Sequence, residues 1–88
     1  MVQEQLIVQN ETGIHARPAS EFVKKANEYE SEIMVVKGEK KANAKSILGL
    51  LGLAAAKGDE LTIIADGEDE QSALSAIAEL INSKFGEH

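Results

Sequence analysis

Hydrophobic positions at the start of the chain alternate. Val2, Leu6 and Val8 fall on one side and Gln3, Gln5 and Gln9 on the other, with Ile7 breaking the pattern. A period of two with one apolar side predicts a strand over 2–9 that buries a single face. From Arg17 to about Tyr29 the period lengthens: Ala19, Phe22, Val23 and Ala26 form one helical stripe, and Glu21 precedes Lys25 by four residues, in ion-pairing position. That stripe is core. The segment Glu32 to Lys37 is β-branched at Ile33, Val35 and Val36 and runs into Lys37-Gly38-Glu39-Lys40, a tight hairpin turn. The return strand, about Lys40 to Ala44, is short and rich in lysine, as a protected edge strand is.

Between Ser46 and Gly58 the pattern changes again. Ser46 suits a helix N-cap, and Ile47, Leu50, Leu51 and Ala54 are spaced as one helical face. Leu48 and Leu53 lie off that face, and no charge appears before Lys57. A short helix that is apolar nearly all round is either wholly buried or presents part of its surface to a partner. Gly49 and Gly52 each cost such a helix about 1 kcal/mol relative to Ala, which points to close packing or access as their reason. Glu60 to Ala65 then alternates as a strand with Leu61, Ile63 and Ala65 on one side, and Asp66-Gly67 marks a turn. Glu68, Asp69 and Glu70 sit where a helix dipole favours acids, ahead of a last helix that turns Ala73, Leu74, Ile77, Leu80 and Ile81 inward and reaches about Lys84.

The element order is strand, helix, strand, strand, short helix, strand, helix. Short hairpin connections and half-buried strands favour an α+β fold, an antiparallel sheet covered on one face by helices. Pattern alone leaves this open among split β-α-β folds. With 88 residues, the chain reads as one domain spanning 1–88.

Charge narrows the classes of partner. The net charge of −6 and only three aromatic residues, Phe22, Tyr29 and Phe85, argue against nucleic acid. The acids concentrate late: residues 59–88 hold eight acids and one Lys, whereas residues 1–58 hold seven acids and eight Lys or Arg. Lys37, Lys40, Lys41 and Lys45 lie close together, as a solvated hairpin rim or as steering charges for an acidic partner. No cysteine ties the chain to an oxidising compartment, its start lacks the basic and apolar regions of a signal peptide, and no segment is long enough to span a bilayer. A cytoplasmic location without membrane insertion is the expectation.

The unusual chemistry is concentrated in Gly13-Ile14-His15-Ala16-Arg17-Pro18-Ala19, where a strand gives way to a helix. The first amides of a helix lack intrahelical partners and the aligned peptide dipoles add positive charge, so a phosphate can settle there. Pro18 suits the first turn, Gly13 permits the turn that precedes it, and Arg17 adds a charged fork matched to phosphate oxygens. His15 is the one nucleophile in the group. Helix start and Arg17 together disfavour the imidazolium and keep a ring lone pair available. The same residues fit a capping histidine beside a surface arginine. A metal site finds little support, since the other histidine is His88 and no cysteine is present.

The acceptor motif Gly13 to Ala19, followed by Lys45-Ser46-Ile47-Leu48-Gly49, resembles HPr, the histidine-containing phosphocarrier family of the bacterial sugar phosphotransferase system. The likeness spans nearly the whole chain. It implies an open-faced β-sandwich with four antiparallel strands and three helices on one face. It also implies that His15 accepts a phosphoryl group from phospho-enzyme I, with phosphoenolpyruvate as ultimate donor, and passes it to enzyme IIA of sugar permeases. Arg17 is then the charge partner, Ala16, Arg17 and Pro18 shape the phosphate site, and Ile47, Leu48 and Leu51 are candidates for docking, with ordinary core as their other reading. Many relatives carry methionine where this chain has Leu48 and Leu51, which bears on partner preference. Ser46 matches a serine that an HPr kinase/phosphorylase modifies in some bacteria, making a corepressor for a catabolite control regulator; it also reads as a plain N-cap. Such a protein is a carrier rather than an enzyme, needs neither metal nor cofactor, and is expected to be a monomer. The alternatives are a regulatory paralogue acting through Ser46, in which the histidine is typically replaced, and a plain anion-binding domain.

Overall fold

The structure, a computed structural model, describes residues 1–86; His88 lies outside them. Its elements are β1 (Val2–Ile7), α1 (Ala16–Ala26), β2 (Glu32–Lys37), β3 (Lys40–Asn43), α2 (Ile47–Gly52), β4 (Glu60–Asp66), α3 (Glu70–Asn82) and a 3-10 turn, Lys84–Gly86. The four strands form one antiparallel sheet in the order β1-β4-β2-β3. Helices α1, α2 and α3 cover one of its faces, as in an open-faced sandwich.

Alternation decides which face is covered. Leu61, Ile63 and Ala65 of β4 are fully buried, and the register sets Ala65 beside Val2 and Ile33, and Ile63 beside Val35. Val35 in turn pairs with Ala42 of the edge strand. Against this row pack Phe22 and Ala26 of α1, Leu50 of α2, and Ala73, Ile77 and Ile81 of α3. Full burial of a side chain such as Leu or Phe contributes about 1.5–3 kcal/mol. Glu32 to Lys37 and its partner strand meet in the expected two-residue turn, Lys37 opposite Lys40.

Four sequence expectations need correction. α1 ends at Ala26, and the chain continues to Tyr29 through tighter turns, Glu28 N–H to Lys25 O (3.1 Å) and Tyr29 N–H to Ala26 O (3.2 Å). Lys25 pairs with Glu28 (3.5 Å) and not with Glu21. The short helix stops at Gly52 instead of running toward Gly58. Ala54 takes a left-handed φ of 51°, the conformation that closes many helices. Lys37 holds that ending in place, its Nζ donating to the carbonyls of Leu53 and Ala54 (3.1 Å each) and pairing with Asp59 at 3.2 Å. Lys45 likewise donates to Tyr29 O (2.9 Å), so two of the four clustered lysines are structural braces and only Lys40 and Lys41 form an exposed rim.

Candidate functional site

The loop between β1 and α1 is built against the segment that follows α2. Val8 N–H donates to Asp59 O (2.9 Å), Gly58 N–H to Val8 O (2.8 Å) and Ile14 N–H to Ala55 O (2.9 Å). Gly13 has a φ of 65°, and a Cβ there would lie 2.4 Å from Ala55 O. Only glycine allows this approach in that conformation. Asn10, almost fully buried, donates through Nδ2 to Gly13 O (2.6 Å) and ties the loop from inside. With Ile14 also buried, the chain is held on both sides of Gly13 and emerges at His15.

His15 occupies the N-cap position of α1, and its carbonyl accepts the first helical bond, from Ala19 N–H at 2.8 Å. Its imidazole makes no capping hydrogen bond. A histidine retained as a cap would use its ring for that bond, so the capping reading loses its main support. The side chain is exposed, as is Arg17 two residues on. Pro18 is buried and has no N–H, so the unpaired donors of the first turn lie at Ala16 and Arg17; Pro18 contributes shape only. The first turn carries no acid, and Lys24 and Lys25 occupy the last. Acids absent from the first turn leave the positive end of the helix open to an incoming anion.

α2 packs against α1. Ser46 is its N-cap, with Oγ accepting from Gly49 N–H at 3.0 Å. A Cβ at Gly49 would meet Ser46 Oγ at 3.2 Å and Ala42 Cβ at 3.4 Å, so close packing explains this glycine; Gly52 faces open space. Leu50 and Leu53 are buried, whereas Ile47, Leu48 and Leu51 are 41%, 82% and 36% exposed. Among these apolar residues, then, core and surface readings divide: one side fills the core and the other forms an apolar patch. Among the described residues no cluster of His, Cys, Asp and Glu is suited to a metal, and no helix is long and apolar enough to cross a membrane.

Sequence reasoning missed the buried Asn10 and the pair formed by Ser31 and Asp69. Ser31 Oγ donates to Asp69 Oδ1, and the backbone amides of Glu30 and Ser31 donate to the same carboxylate at 2.8 and 2.9 Å. These bonds, the Ser31 hydroxyl first, hold the Asp69 carboxyl below its usual range. A serine before a strand and an acid before a helix carry no local sign that they meet across the fold.

Residues 2–83 match a family model described as PTS HPr component phosphorylation site. The phosphocarrier protein HPr of Treponema pallidum is 45% identical over 99% of this chain and 99% of its own. The crystal structure of HPr-C-His from Thermoanaerobacter tengcongensis superposes with a TM-score of 0.96 at 44% identity, covering 100% of this chain and 99% of that one. Crh of Bacillus subtilis, described as a catabolite repression protein forming a dimer with a swapped domain, is 48% identical with a TM-score of 0.77, over 96% of this chain and 97% of its own. A match of this extent in sequence and fold places the chain in the HPr family of phosphotransferase-system phosphocarriers.

Proposed function

We propose that the protein is a phosphoryl carrier in which His15 takes the group from phospho-enzyme I and gives it to enzyme IIA of a sugar permease. The observation that carries the reading is the placement of His15: exposed, at the start of α1, with its ring uncommitted and Arg17 beside the free amides of the first turn. Transfer makes a bond from an imidazole nitrogen, Nδ1 in the family, to phosphorus as the bond to the donor's nitrogen breaks. The histidine is the only group the reaction consumes and restores. Positioning and charge stabilisation are what such a step asks of a protein. The amides of Ala16 and Arg17 and the Arg17 guanidinium would face the phosphoryl oxygens. The exposed patch of Ile47, Leu48 and Leu51 would seat both partners in turn. A cytoplasmic monomer suits this role, although Crh is described as a dimer, so oligomeric state enters the test.

The test is a relay assay. Phosphoprotein made with enzyme I and phosphoenolpyruvate is freed of enzyme I, then mixed with enzyme IIA, with light scattering reporting mass in both states. The reading expects the label to move to enzyme IIA from a monomer of His15-phosphorylated protein. A label that stays bound to the carrier would remove the relay.

A second reading gains from the 48% identity to Crh. In it, Ser46 is phosphorylated by an HPr kinase/phosphorylase, and the product acts with a catabolite control regulator. Ser46 Oγ is half-buried and caps α2, so a phosphate added there would meet the positive end of the helix and need little refolding. It would also set negative charge beside Ile47 and Leu48 and hinder docking of enzyme I. Incubation with kinase and ATP followed by peptide mapping decides it: phosphate on the peptide containing Ser46 supports the switch, and an unmodified peptide removes it.

A further inference from the structure

The loop that carries His15 and the helix α2 are fastened to one irregular segment, residues 53–59, which follows α2. The carbonyls of Ala55 and Asp59 accept from Ile14 and Val8, and Gly58 N–H donates to Val8 O, so this stretch of chain is the floor under His15. Its other end closes α2, whose outer side carries Ile47, Leu48 and Leu51. Residues 53–59 belong to no strand or helix, and Ala54 takes a left-handed φ of 51°, so their path is fixed by groups outside them.

Lys37 supplies that constraint. It is the last residue of β2, so the sheet fixes its backbone. Its Nζ has three protons and meets three acceptors: Leu53 O and Ala54 O at 3.1 Å each and the Asp59 carboxylate at 3.2 Å. Asp59 in turn closes the segment on itself, its Oδ2 accepting from Ala56 N–H at 2.8 Å while its own N–H donates to Ala56 O at 2.9 Å. The Ala56 amide first, and Lys37 after it, hold the Asp59 carboxyl below its usual range. A second link to the loop, Lys57 to Glu11 at 2.5 Å, is exposed at both ends and adds little. One ammonium on a rigid strand therefore sets both where α2 ends and where the loop under His15 rests. A partner that docks on α2 and reacts at His15 needs those two places in a fixed relation, because a misplacement of about 1 Å can cost about 100-fold in rate.

We propose that Lys37 and Asp59 are positioning residues for phosphoryl transfer, their brace holding His15 in register with the apolar patch on α2; the inference rests on the carrier reading above. Its test is a single-turnover measurement. Preformed phospho-enzyme I is mixed with increasing amounts of the full chain as wild type, Lys37→Met, Lys37→Arg and Asp59→Asn, which gives a saturating rate and a half-saturating concentration for each. Methionine keeps an unbranched stem and removes all three bonds, arginine restores the charge, and asparagine can still accept from Ala56 N–H while losing the ion pair. Urea titrations select conditions in which each variant is folded, and Asp59→Asn carries the test if Lys37→Met does not fold. The saturating rate should fall about 10-fold in Lys37→Met and about 3-fold in Asp59→Asn and recover at least in part in Lys37→Arg, with half-saturation within about 2-fold of wild type. Phosphoramidate, a small donor with no docking step, should phosphorylate His15 of all four at the same rate. Equal saturating rates in the folded variants, with wild type phosphorylated by enzyme I, would overturn the positioning role and leave the carrier reading intact. A change confined to half-saturation would assign the brace to the docking patch alone, and equal slowing with phosphoramidate would place the fault at His15 itself; either result overturns the proposal. A wild type that enzyme I leaves unphosphorylated removes both readings together.

Discussion

Replacing Gly13 by Ala tests whether the loop under His15 is held as described. A methyl at this position meets Ala55 O at 2.4 Å and Ala56 Cα at 2.9 Å, both backbone atoms with no rotamer to turn away. A left-handed φ costs a non-glycine residue about 1–2 kcal/mol. Relieving the contact means drawing the two segments apart, which gives up the Ile14 N–H to Ala55 O bond (2.9 Å), a further loss of about 1 kcal/mol. Lower entropy of the unfolded chain returns about 0.4–1 kcal/mol. The net expectation is a destabilisation of about 2 kcal/mol or somewhat more. Two controls separate the terms. Gly38 has a φ of 59° and open space around it, so Gly38→Ala feels the backbone term alone, about 1 kcal/mol or less after the same entropy gain. Gly52, the last residue of α2, has open space and no positive φ, so Gly52→Ala should be neutral or stabilising by up to about 1 kcal/mol. Urea unfolding of the three variants gives the order directly. A Gly13→Ala protein as stable as Gly38→Ala would refute the close approach, and with it the account of how His15 is placed.

Other perturbations probe the rest of the fold and the docking surface. Ala54→Gly should raise stability by about 1 kcal/mol in a denaturant titration, because it relieves the left-handed φ of 51° at the end of α2; a loss would show that this residue is not strained. Leu48→Glu should leave the urea midpoint within about 0.5 kcal/mol of wild type, since the side chain is 82% exposed, while slowing phosphoryl transfer; unchanged transfer kinetics would remove Leu48 from the docking patch. Asp69 has its folded carboxyl pKa lowered, so its contribution is present above the unfolded pKa and is lost as pH falls through the folded value. Stability measured from pH 6 downward should therefore decline less steeply in Asp69→Asn than in wild type, and parallel curves would mean that the Ser31 and Glu30 bonds do not favour the ionised form.

Local pattern carried much of this fold, and its failures have physical causes. Alternation in β1, β2 and β4 and the stripe of α1 were legible because each element is half-buried, so its period reports its burial. Ser46 was legible as an N-cap because capping is a contact over three residues. The end of α2 was not. Leu53-Ala54-Ala55-Ala56 has high helix propensity, and what stops it is Lys37, sixteen residues away, bonding its carbonyls and Asp59. Strand order was also hidden, since β4 enters between β1 and β2 through contacts that no local window contains. At the site, the motif around His15 could be read directly, whereas its supports could not. Asn10 looks like any loop asparagine until its burial is known.

The most direct test of the central claim is the intact mass of wild type and His15→Ala after incubation with enzyme I and phosphoenolpyruvate, read before and after mild acid. The account predicts a gain of one phosphoryl group on wild type, lost in acid, and no gain on His15→Ala. An unmodified wild type beside a demonstrably active enzyme I, or an equal gain on the mutant, would contradict it.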